Sequence, residues 1–174
     1  MDGLSDEKLV ADSRAGNKGA YAVLIKRHYR QVLLVCLGML GNIHDAEDIA
    51  QDALLKGFID IRKLRRSSKF GPWLTKIARN LCINHLRRKK RATEIYAQTQ
   101  PAPENEIADT VPLQRAIARL PQDIRMPVVM HFLGKKPVKG IAEEMSISPS
   151  GVYAKLRKGL RLLHDMLSEH GDTI

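Results

Sequence analysis

Apolar residues recur every three or four positions along almost the whole chain, and this spacing constrains the fold more than any other feature of the sequence. It places apolar side chains on one face of an α-helix, whereas a half-buried strand needs strict alternation, and no segment alternates convincingly. The longest example covers residues 18–39, with apolar residues at Tyr21, Leu24, Ile25, Val32, Leu33, Val35 and Leu37. The sequence therefore predicts an all-α fold.

Residues with known helix-end preferences mark where the predicted helices begin and stop. Ser5 is placed to cap a short first helix, and Gly41 ends the helix over residues 18–39. Pro72 suits the first position of a helix that runs into the basic sequence RRKKR. On that helix the packed arc consists of Trp73, Leu74, Ile77, Ala78 and Leu81, and the opposite arc consists of Lys76, Arg79, Asn80, Ile83 and Arg87.

The chain is long enough, at 174 residues, for one medium domain or two small ones. Residues 92–114 contain no Lys or Arg, and the run AQTQPAPENE within them is polar, contains proline and lacks hydrophobic periodicity. This composition is typical of a flexible linker. We predict two small helical domains, residues 1–93 and residues 111–174, joined by a flexible linker over residues 94–110.

Charge is strongly positive and is distributed in blocks. The chain has 29 Lys and Arg against 19 Asp and Glu, a net charge of +10, which favours a polyanionic partner such as nucleic acid or an acidic membrane surface. Residues 62–91 hold twelve basic residues and no acid, whereas residues 45–60 hold five acids and one Lys. The first domain is therefore expected to carry two faces of opposite charge.

The remaining composition argues against secretion, membrane insertion and metal chemistry. The N-terminus MDGLSDEKLV has no basic and apolar signal regions, and no apolar run approaches the length of a membrane span. Cys36 and Cys82 are flanked by aliphatic residues, which predicts two buried, reduced thiols and a cytoplasmic location. The six histidines show no metal-ligand spacing, so neither a metal nor a cofactor is expected, and neither is enzymatic activity.

The second domain contains the sequence of a helix-turn-helix. VKGIAEEMSISPSGVYAKLRKGLRLL reads as two short helices joined by a tight turn, with Ser148 as N-cap and Pro149 at the first position of the second helix. The inner side of that helix is predicted to hold Val152, Leu156, Leu160 and Leu163, and the outer side Ser150, Tyr153, Ala154, Arg157 and Arg161. An exposed face of this kind could enter a DNA major groove.

These segments, in this order, resemble one protein family. DAEDIAQDALLKGF, WLTKIARNLCINHLRRKKR, a linker, RLPQDIRMPVVMHF and IAEEMSISPSGVYAKLRKGLRLL are together similar to bacterial RNA polymerase sigma factors of the extracytoplasmic-function (ECF) type. The resemblance covers residues 9–167. Helix-turn-helix sequences alone are widespread, whereas the ordered pair of segments with a linker between them is much more specific.

The resemblance implies a transcription initiation factor that binds core RNA polymerase, directs it to promoter DNA and assists strand opening at the minus-ten element. The polymerase-docking residues it implies are Asp45, Glu47, Asp48, Gln51 and Asp52. The minus-ten contacts it implies, including a loop over residues 65–71 that holds an extruded base, are Arg65, Lys69, Phe70, Lys76, Arg79, Asn80, Asn84, Arg87 and Arg88. The minus-thirty-five contacts it implies are Ser150, Tyr153, Ala154, Lys155, Arg157, Lys158 and Arg161. It also implies an anti-sigma protein that masks these surfaces.

The residues by themselves leave other interpretations open. The acidic helix could be only a solvated face, and the basic run could bind phosphate without sequence preference. Arg157 and Arg161 could contact phosphates instead of bases. A stand-alone helix-turn-helix regulator is the main alternative function, although the acidic helix and linker have no obvious role in it. A nucleic-acid-processing enzyme is a third, and the lack of a His or carboxylate cluster argues against it.

Overall fold

The computed structural model describes residues 3–97 and 112–168, with the backbone alone for residues 95–97. Across these two ranges the chain forms helices and no β-strand, in agreement with the predicted all-α fold. The α-helices are α1 Asp6–Arg14, α2 Lys18–Leu40, α3 Ile43–Asp60, α4 Phe70–Ala97, α5 Pro112–Arg119, α6 Gln122–Val128, α7 Val138–Met145 and α8 Pro149–Ser168. We call α1–α4 the first lobe and α5–α8 the second lobe.

The predicted helix ends are confirmed where they rest on capping side chains. Ser5 accepts a hydrogen bond from the backbone N–H of Lys8, and Ser148 accepts one from the N–H of Gly151. Gly41 ends α2 with a φ of 75°, a left-handed conformation that glycine adopts without a steric penalty. These caps satisfy backbone groups that a helix end otherwise leaves unpaired.

Helix α4 begins slightly earlier than predicted. The helix begins at Phe70 instead of near Pro72, because a 3-10 turn over Ser67–Lys69 leads directly into it. It continues past residue 93 to Ala97. The predicted linker over residues 94–110 lies largely outside the described residues, so its boundaries stay a prediction.

An aromatic cluster joins the helices of the first lobe. The ring of Tyr21 on α2 lies 5.0 Å from the ring of Phe58 and 6.2 Å from that of Phe70, and Phe70 lies 6.0 Å from Trp73. The Tyr21 hydroxyl donates a hydrogen bond of 2.6 Å to the carbonyl oxygen of Leu54 on α3. Such aromatic pairs add to the stabilisation from burial alone, so α2, α3 and α4 are held in one arrangement.

The second lobe packs α8 closely against α6. A Cβ atom on Gly159 would lie 2.5 Å from a methyl carbon of Val128, so only glycine fits there. The prediction that Leu160 faces inward is wrong: Leu160 is exposed, and Gly159 takes the inner position with Val152, Leu156 and Leu163. Helix α6 contains Pro127, and a π-helical turn over Val129–Leu133 follows it directly.

The two lobes touch in this structure. Helix α6 and the π-helical turn lie against α2, and Arg125 of α6 donates hydrogen bonds to the carbonyl oxygens of Gly38 and Met39 at 3.0 and 2.9 Å. Sequence patterns did not specify how the lobes sit relative to one another. Within the described ranges, no helix is long and apolar enough to cross a membrane.

The turn between α7 and α8 carries a strained residue, and relieving the strain should stabilise the protein. Ser146 adopts a φ of 56°, a left-handed conformation that costs a residue with a Cβ about 1–2 kcal/mol. Ser146→Gly is expected to raise the free energy of unfolding by about 0.5–1 kcal/mol, measured by chemical denaturation. Ala154→Gly, on the exposed middle of α8, is the control and should lower it by about 1 kcal/mol. An unchanged or lower stability for Ser146→Gly would contradict this account.

Candidate nucleic-acid and partner surfaces

The outer face of α3 combines acidic and apolar side chains. Asp48, Gln51 and Asp52 are exposed, and beside them Leu55 and Ile59 are 60% and 69% exposed. At about 100° per residue these five positions fall on one side of the helix. Large aliphatic side chains left in water beside charges are typical of a protein-binding surface. We call Asp48, Gln51, Asp52, Leu55 and Ile59 the α3 outer face.

Two of the predicted docking residues do not lie fully on this face. Asp45 is half-buried, and its carboxylate lies 3.5 Å from Nε2 of His85 and 3.4 Å from Nζ of Lys89, both on α4. Glu47 is also half-buried. Asp45 therefore connects α3 to α4, and the exposed acidic character of α3 comes mainly from Asp48 and Asp52.

Sequence reasoning missed Leu55 and Ile59 as surface residues. The packed side of this helix and the residue after it consist of Ile49, Ala53, Leu54, Phe58 and Ile61, which are buried or half-buried. Leu55 and Ile59 lie off that packed side, on the same side as Asp48 and Asp52. The helical spacing that places these two aliphatic residues beside Asp48 and Asp52 could have identified them as surface residues.

The outer face of α4 is cationic and carries amide side chains. The exposed residues on this side of α4 are Lys76, Asn80, Ile83, Asn84, Arg87 and Arg88, and we call them the α4 outer face. Lys and Arg neutralise phosphates, whereas asparagine side chains can both donate to and accept from base edges. The division of this helix into a packed arc and a presented arc is confirmed, because Leu74 and Ala78 are fully buried.

The loop before α4 presents only part of the predicted contact set. Arg65 and Lys69 are exposed. Phe70, which the resemblance placed among the DNA contacts, is 1% exposed and packs edge-on against Tyr21 and His28. Its ring is held inside the first lobe, so it supports the start of α4 and has no free face for a base.

Arg79 occupies an intermediate position between core and surface. It is half-buried, and its Nη2 lies 2.8 Å from Oε1 of Glu144 on α7 of the second lobe. The same Glu144 also pairs with Lys136. The cationic group predicted to meet DNA is thus paired with a carboxylate from the other lobe.

The exposed face of helix α8 is cationic and also carries a tyrosine, an alanine and a leucine. Tyr153 is 58% exposed, and the other exposed residues of this face are Ser150, Ala154, Arg157, Lys158, Leu160, Arg161 and His164. Lys155 differs from these, because it is half-buried and its Nζ lies 2.5 Å from Oδ2 of Asp123 at the start of α6. That hydrogen bond lowers the pKa of the Asp123 carboxyl. Lys155 therefore fastens α8 to α6.

The two cysteines are free and fully buried, Cys36 on α2 and Cys82 on α4. The hydrogen bond to Cys82, together with burial, raises the pKa of the Cys36 thiol. As predicted, they are core thiols without a disulfide. Among the residues that the structure describes, no group of three His, Cys, Asp or Glu side chains could hold a metal ion.

Two family models match the chain, one on each lobe. The model of Sigma-70 region 2 matches residues 24–92, which span most of α2, all of α3 and most of α4. The model of Sigma-70 region 4 matches residues 110–163, which include the helix-turn-helix. The two matches occur in the order that the resemblance implies.

Full-length relatives match as well. The ECF RNA polymerase sigma factor SigM of Mycobacterium tuberculosis is 31% identical over 94% of this chain and 85% of its own length. SigW of Bacillus subtilis is 28% identical over 94% of this chain and 97% of its own length. The chain belongs to the ECF sigma factors. It is a promoter-specificity factor for transcription initiation, and the stand-alone regulator is not favoured.

Solved structures share the fold of this sigma factor. The sigma factor RpoE in complex with the anti-sigma factor NepR, from Bartonella quintana, matches with a TM-score of 0.62 at 15% identity, covering 83% of this chain and 94% of that one. CnrH in complex with the cytosolic domain of CnrY matches with a TM-score of 0.61 at 18% identity, covering 94% and 97%. Sigma factors are non-enzymatic, which is consistent with the predicted absence of catalysis.

Proposed function

We propose that this ECF sigma factor divides its work among three surfaces on two domains, residues 1–93 and residues 111–174. The α3 outer face docks on core RNA polymerase, the α4 outer face holds the opened minus-ten element, and α8 reads the minus-thirty-five element as duplex. The observation that carries the proposal is the presence of one acidic and apolar face and two cationic faces on a single chain.

The docking surface is assigned to α3 because its outer face combines acidic side chains with exposed aliphatic ones. Asp48 and Asp52 can steer association with a basic partner, and charge complementarity acts mainly on the association rate and on orientation. Leu55 and Ile59 supply apolar area, which gives most of the affinity at the centre of an interface. We propose the clamp coiled coil of the largest polymerase subunit as the partner.

The minus-ten contacts are assigned to α4 and the loop that precedes it. Lys76, Arg87 and Arg88 provide charge for phosphates, and Asn80 and Asn84 provide groups that can bond to exposed base edges. Extruding a base costs a few kcal/mol, so these contacts have to offset that cost. Because Phe70 is buried, the loop offers the base polar and cationic groups such as Arg65 and Lys69 in place of an aromatic ring.

The minus-thirty-five contacts are assigned to the exposed face of α8. Tyr153, Ala154 and Arg157 lie at its centre, where a helix seated in the major groove meets base edges, and Lys158 and Arg161 lie toward the phosphates. The two domains, each binding DNA weakly, are joined by a linker and bind the promoter bivalently, because binding of one domain raises the effective concentration of the other at the DNA.

A substitution at Arg157 tests whether α8 reads bases. Arg157→Ala is expected to weaken use of the upstream promoter element by about 1–3 kcal/mol and to relax the preference at one base pair. The measurement is initiation by the reconstituted holoenzyme from promoters with single base changes. Lys139→Ala, on the exposed side of α7, removes the same charge and should act weakly and without sequence preference. A uniform loss across all promoters would assign Arg157 to phosphate instead.

The proposed function is tested most directly by transcription in vitro with core polymerase over a genomic fragment library. The expected result is initiation at a small set of promoters that core polymerase alone does not use. Failure to bind core polymerase, or binding that leaves the start sites unchanged, would overturn the proposal.

We also propose that an anti-sigma protein regulates this factor. Two structural neighbours, RpoE and CnrH, are described in complexes with the anti-sigma factor NepR and with the cytosolic domain of CnrY. The α3 outer face is available to such a partner, since it is exposed in the chain alone. Copurification from the native cell should recover an inhibitory protein, and its absence under non-inducing conditions would count against this part of the proposal.

A further inference from the structure

A groove between the lobes has cationic side chains on both of its sides. It has a volume of about 450 Å³ and lies between α2 and the turn over residues 134–137, which follows the π-helical turn. Arg27 and Arg30 of α2 line one side, and Lys135 and Lys136 of the turn line the other. Among the described residues that line the groove, none is acidic. A cleft of this size with one sign of charge favours an anionic small molecule.

The charges of Arg30 and Lys135 are not neutralised by the protein. Nη2 of Arg30 donates a hydrogen bond of 2.8 Å to the carbonyl oxygen of Leu133, which is a neutral acceptor. Within residues 3–97 and 112–168, no carboxylate pairs with Arg30 or Lys135, whereas the other two cations of the groove have carboxylate partners outside it. A bound anion would therefore supply the charge that these two side chains lack.

The turn that carries the two lysines is ordered by its own hydrogen bonds. The N–H of Gly134 donates to the carbonyl oxygen of Val129, and the N–H of Lys136 donates to that of Met130, each at 3.0 Å. Lys135 has a φ of 51°, a left-handed conformation that is uncommon for a residue with a Cβ and is found more often at ligand sites. Because this backbone is already ordered, binding a ligand costs no further loss of backbone freedom there.

The rest of the groove is mainly aliphatic. Between the cationic sides it is lined by Leu34, Val35, Met130 and Pro137. No aromatic ring lines it within the part of the chain that the structure describes, so it offers a nucleobase no stacking surface. An alkyl chain placed in this groove would leave water, and each buried methylene would raise the affinity by up to about fourfold.

We propose that this groove binds a small aliphatic molecule with a phosphate monoester group, which Arg30 and Lys135 contact from opposite lobes. Phosphate suits the groove better than a carboxylate, because it presents three terminal oxygens and a charge of about −1.5 to −2 to four cationic side chains. Since the two residues belong to different lobes, the bound molecule strengthens the contact between the lobes. The groove shares no residue with the three surfaces of the proposed function, so the two proposals are independent.

Octyl phosphate is the probe for this site. The full-length protein is titrated by isothermal titration calorimetry, at concentrations below those at which the probe forms micelles, and one-to-one binding is expected. Inorganic phosphate lacks the alkyl chain and octanol lacks the charge, so each should bind at least about tenfold more weakly. Butyl phosphate should lie between inorganic phosphate and octyl phosphate. Equal affinity for inorganic phosphate and octyl phosphate would make the groove a general anion site and overturn the proposal.

Substitutions locate the site in the groove. Arg30→Gln and Lys135→Gln each remove one charged contact, and each should raise the Kd for octyl phosphate about threefold to tenfold. Lys26→Gln is the matched control, because it removes a charge from an exposed lysine of α2 that does not line the groove, and it should change the Kd by less than about twofold. All three side chains are exposed, so the fold should be kept, which thermal unfolding verifies. Equal effects of the three substitutions would attribute binding to net charge and contradict the proposal.

A third measurement separates a soluble ligand from a lipid head group of the same chemistry. Sedimentation with vesicles of phosphatidylcholine and phosphatidic acid should show weak binding that Arg30→Gln and Lys135→Gln do not change. Vesicle binding that requires both residues, with no binding of octyl phosphate, would assign them to a membrane surface and overturn the proposal. Initiation by core polymerase without any alkyl phosphate tests the proposed function separately, so each proposal can fail while the other stands.

Discussion

Replacing Ile59 by Glu is expected to lower the affinity for core RNA polymerase about a hundredfold, equivalent to about 2.8 kcal/mol, and to leave the fold intact. The side chain is 69% exposed, so the free protein has no packing to lose. In the complex, the introduced carboxylate would be taken from water into an interface whose centre is apolar, where an unpaired charge is costly. Leu55→Glu should behave in the same way.

The measurement is a binding titration of core polymerase with labelled protein, accompanied by thermal unfolding of each variant. Leu113→Glu places the same change at a leucine that is also exposed, on α5, and should bind normally. Reversing a charge on the same face with Asp48→Lys should abolish binding, with a larger share of the loss in the association rate than for Ile59→Glu. Full initiation activity from Ile59→Glu and Asp48→Lys would remove α3 from the docking surface.

Replacing Arg125 by Met is expected to lower the free energy of unfolding by about 3–5 kcal/mol, because a hydrogen bond to a charged group contributes about 1.5–3 kcal/mol. The substitution leaves carbonyl groups of α2 and α5 without their donor in a buried site. Since both lobes share this guanidinium, the variant should also unfold in two steps, with the second lobe unfolding first.

Urea denaturation followed by circular dichroism measures this effect. Arg119→Met, at an exposed arginine of α5, is the matched control and should change the stability by less than about 0.5 kcal/mol. Arg125→Lys keeps the charge but cannot reach several carbonyls at once, so its stability should lie between those of Arg125→Met and the wild type. A loss below 1 kcal/mol for Arg125→Met would show that water replaces the guanidinium at little cost.

Much of the fold follows from local sequence. Helical periodicity located the long α2 and the packed arc of α4, and capping residues such as Ser5 and Ser148 located helix ends, because both effects act over a few residues. The all-α fold and the resemblance to sigma factors could be predicted for the same reason, because both depend on local sequence patterns and on their order along the chain.

Local sequence patterns did not reveal the features that tertiary contacts decide. Leu160 and Gly159 are adjacent, and only the close approach of α8 to α6 selects the glycine for the inner position. Phe70 was assigned to DNA by its place in the sequence, whereas its ring completes an aromatic cluster with Tyr21. Lys155 has a carboxylate partner on another helix, which spacing along one helix cannot reveal.

The contact between lobes was beyond sequence reasoning for a further reason. Arg125 and Gly38 are 87 positions apart, and neither residue type signals a partner at that distance. An arginine in an amphipathic helix is normally interpreted as exposed, since buried arginine is rare unless it is paired. The partners of Arg125 are backbone carbonyl groups. Every residue has one, so the sequence does not indicate which of them bind the arginine.

The position of Arg125 in the chain also determines when the contact between the lobes can form during synthesis on the ribosome. It is synthesised 87 residues after Gly38, and at about 5–20 residues per second this interval lasts roughly 4–17 seconds. The first lobe is complete once Ala97 has been synthesised, 28 residues before Arg125, so its helices can fold on one another before the residue that fastens them to the second lobe is made. The contact between the lobes is therefore made only after Arg125 has been synthesised, and newly made chains pass through a stage without it.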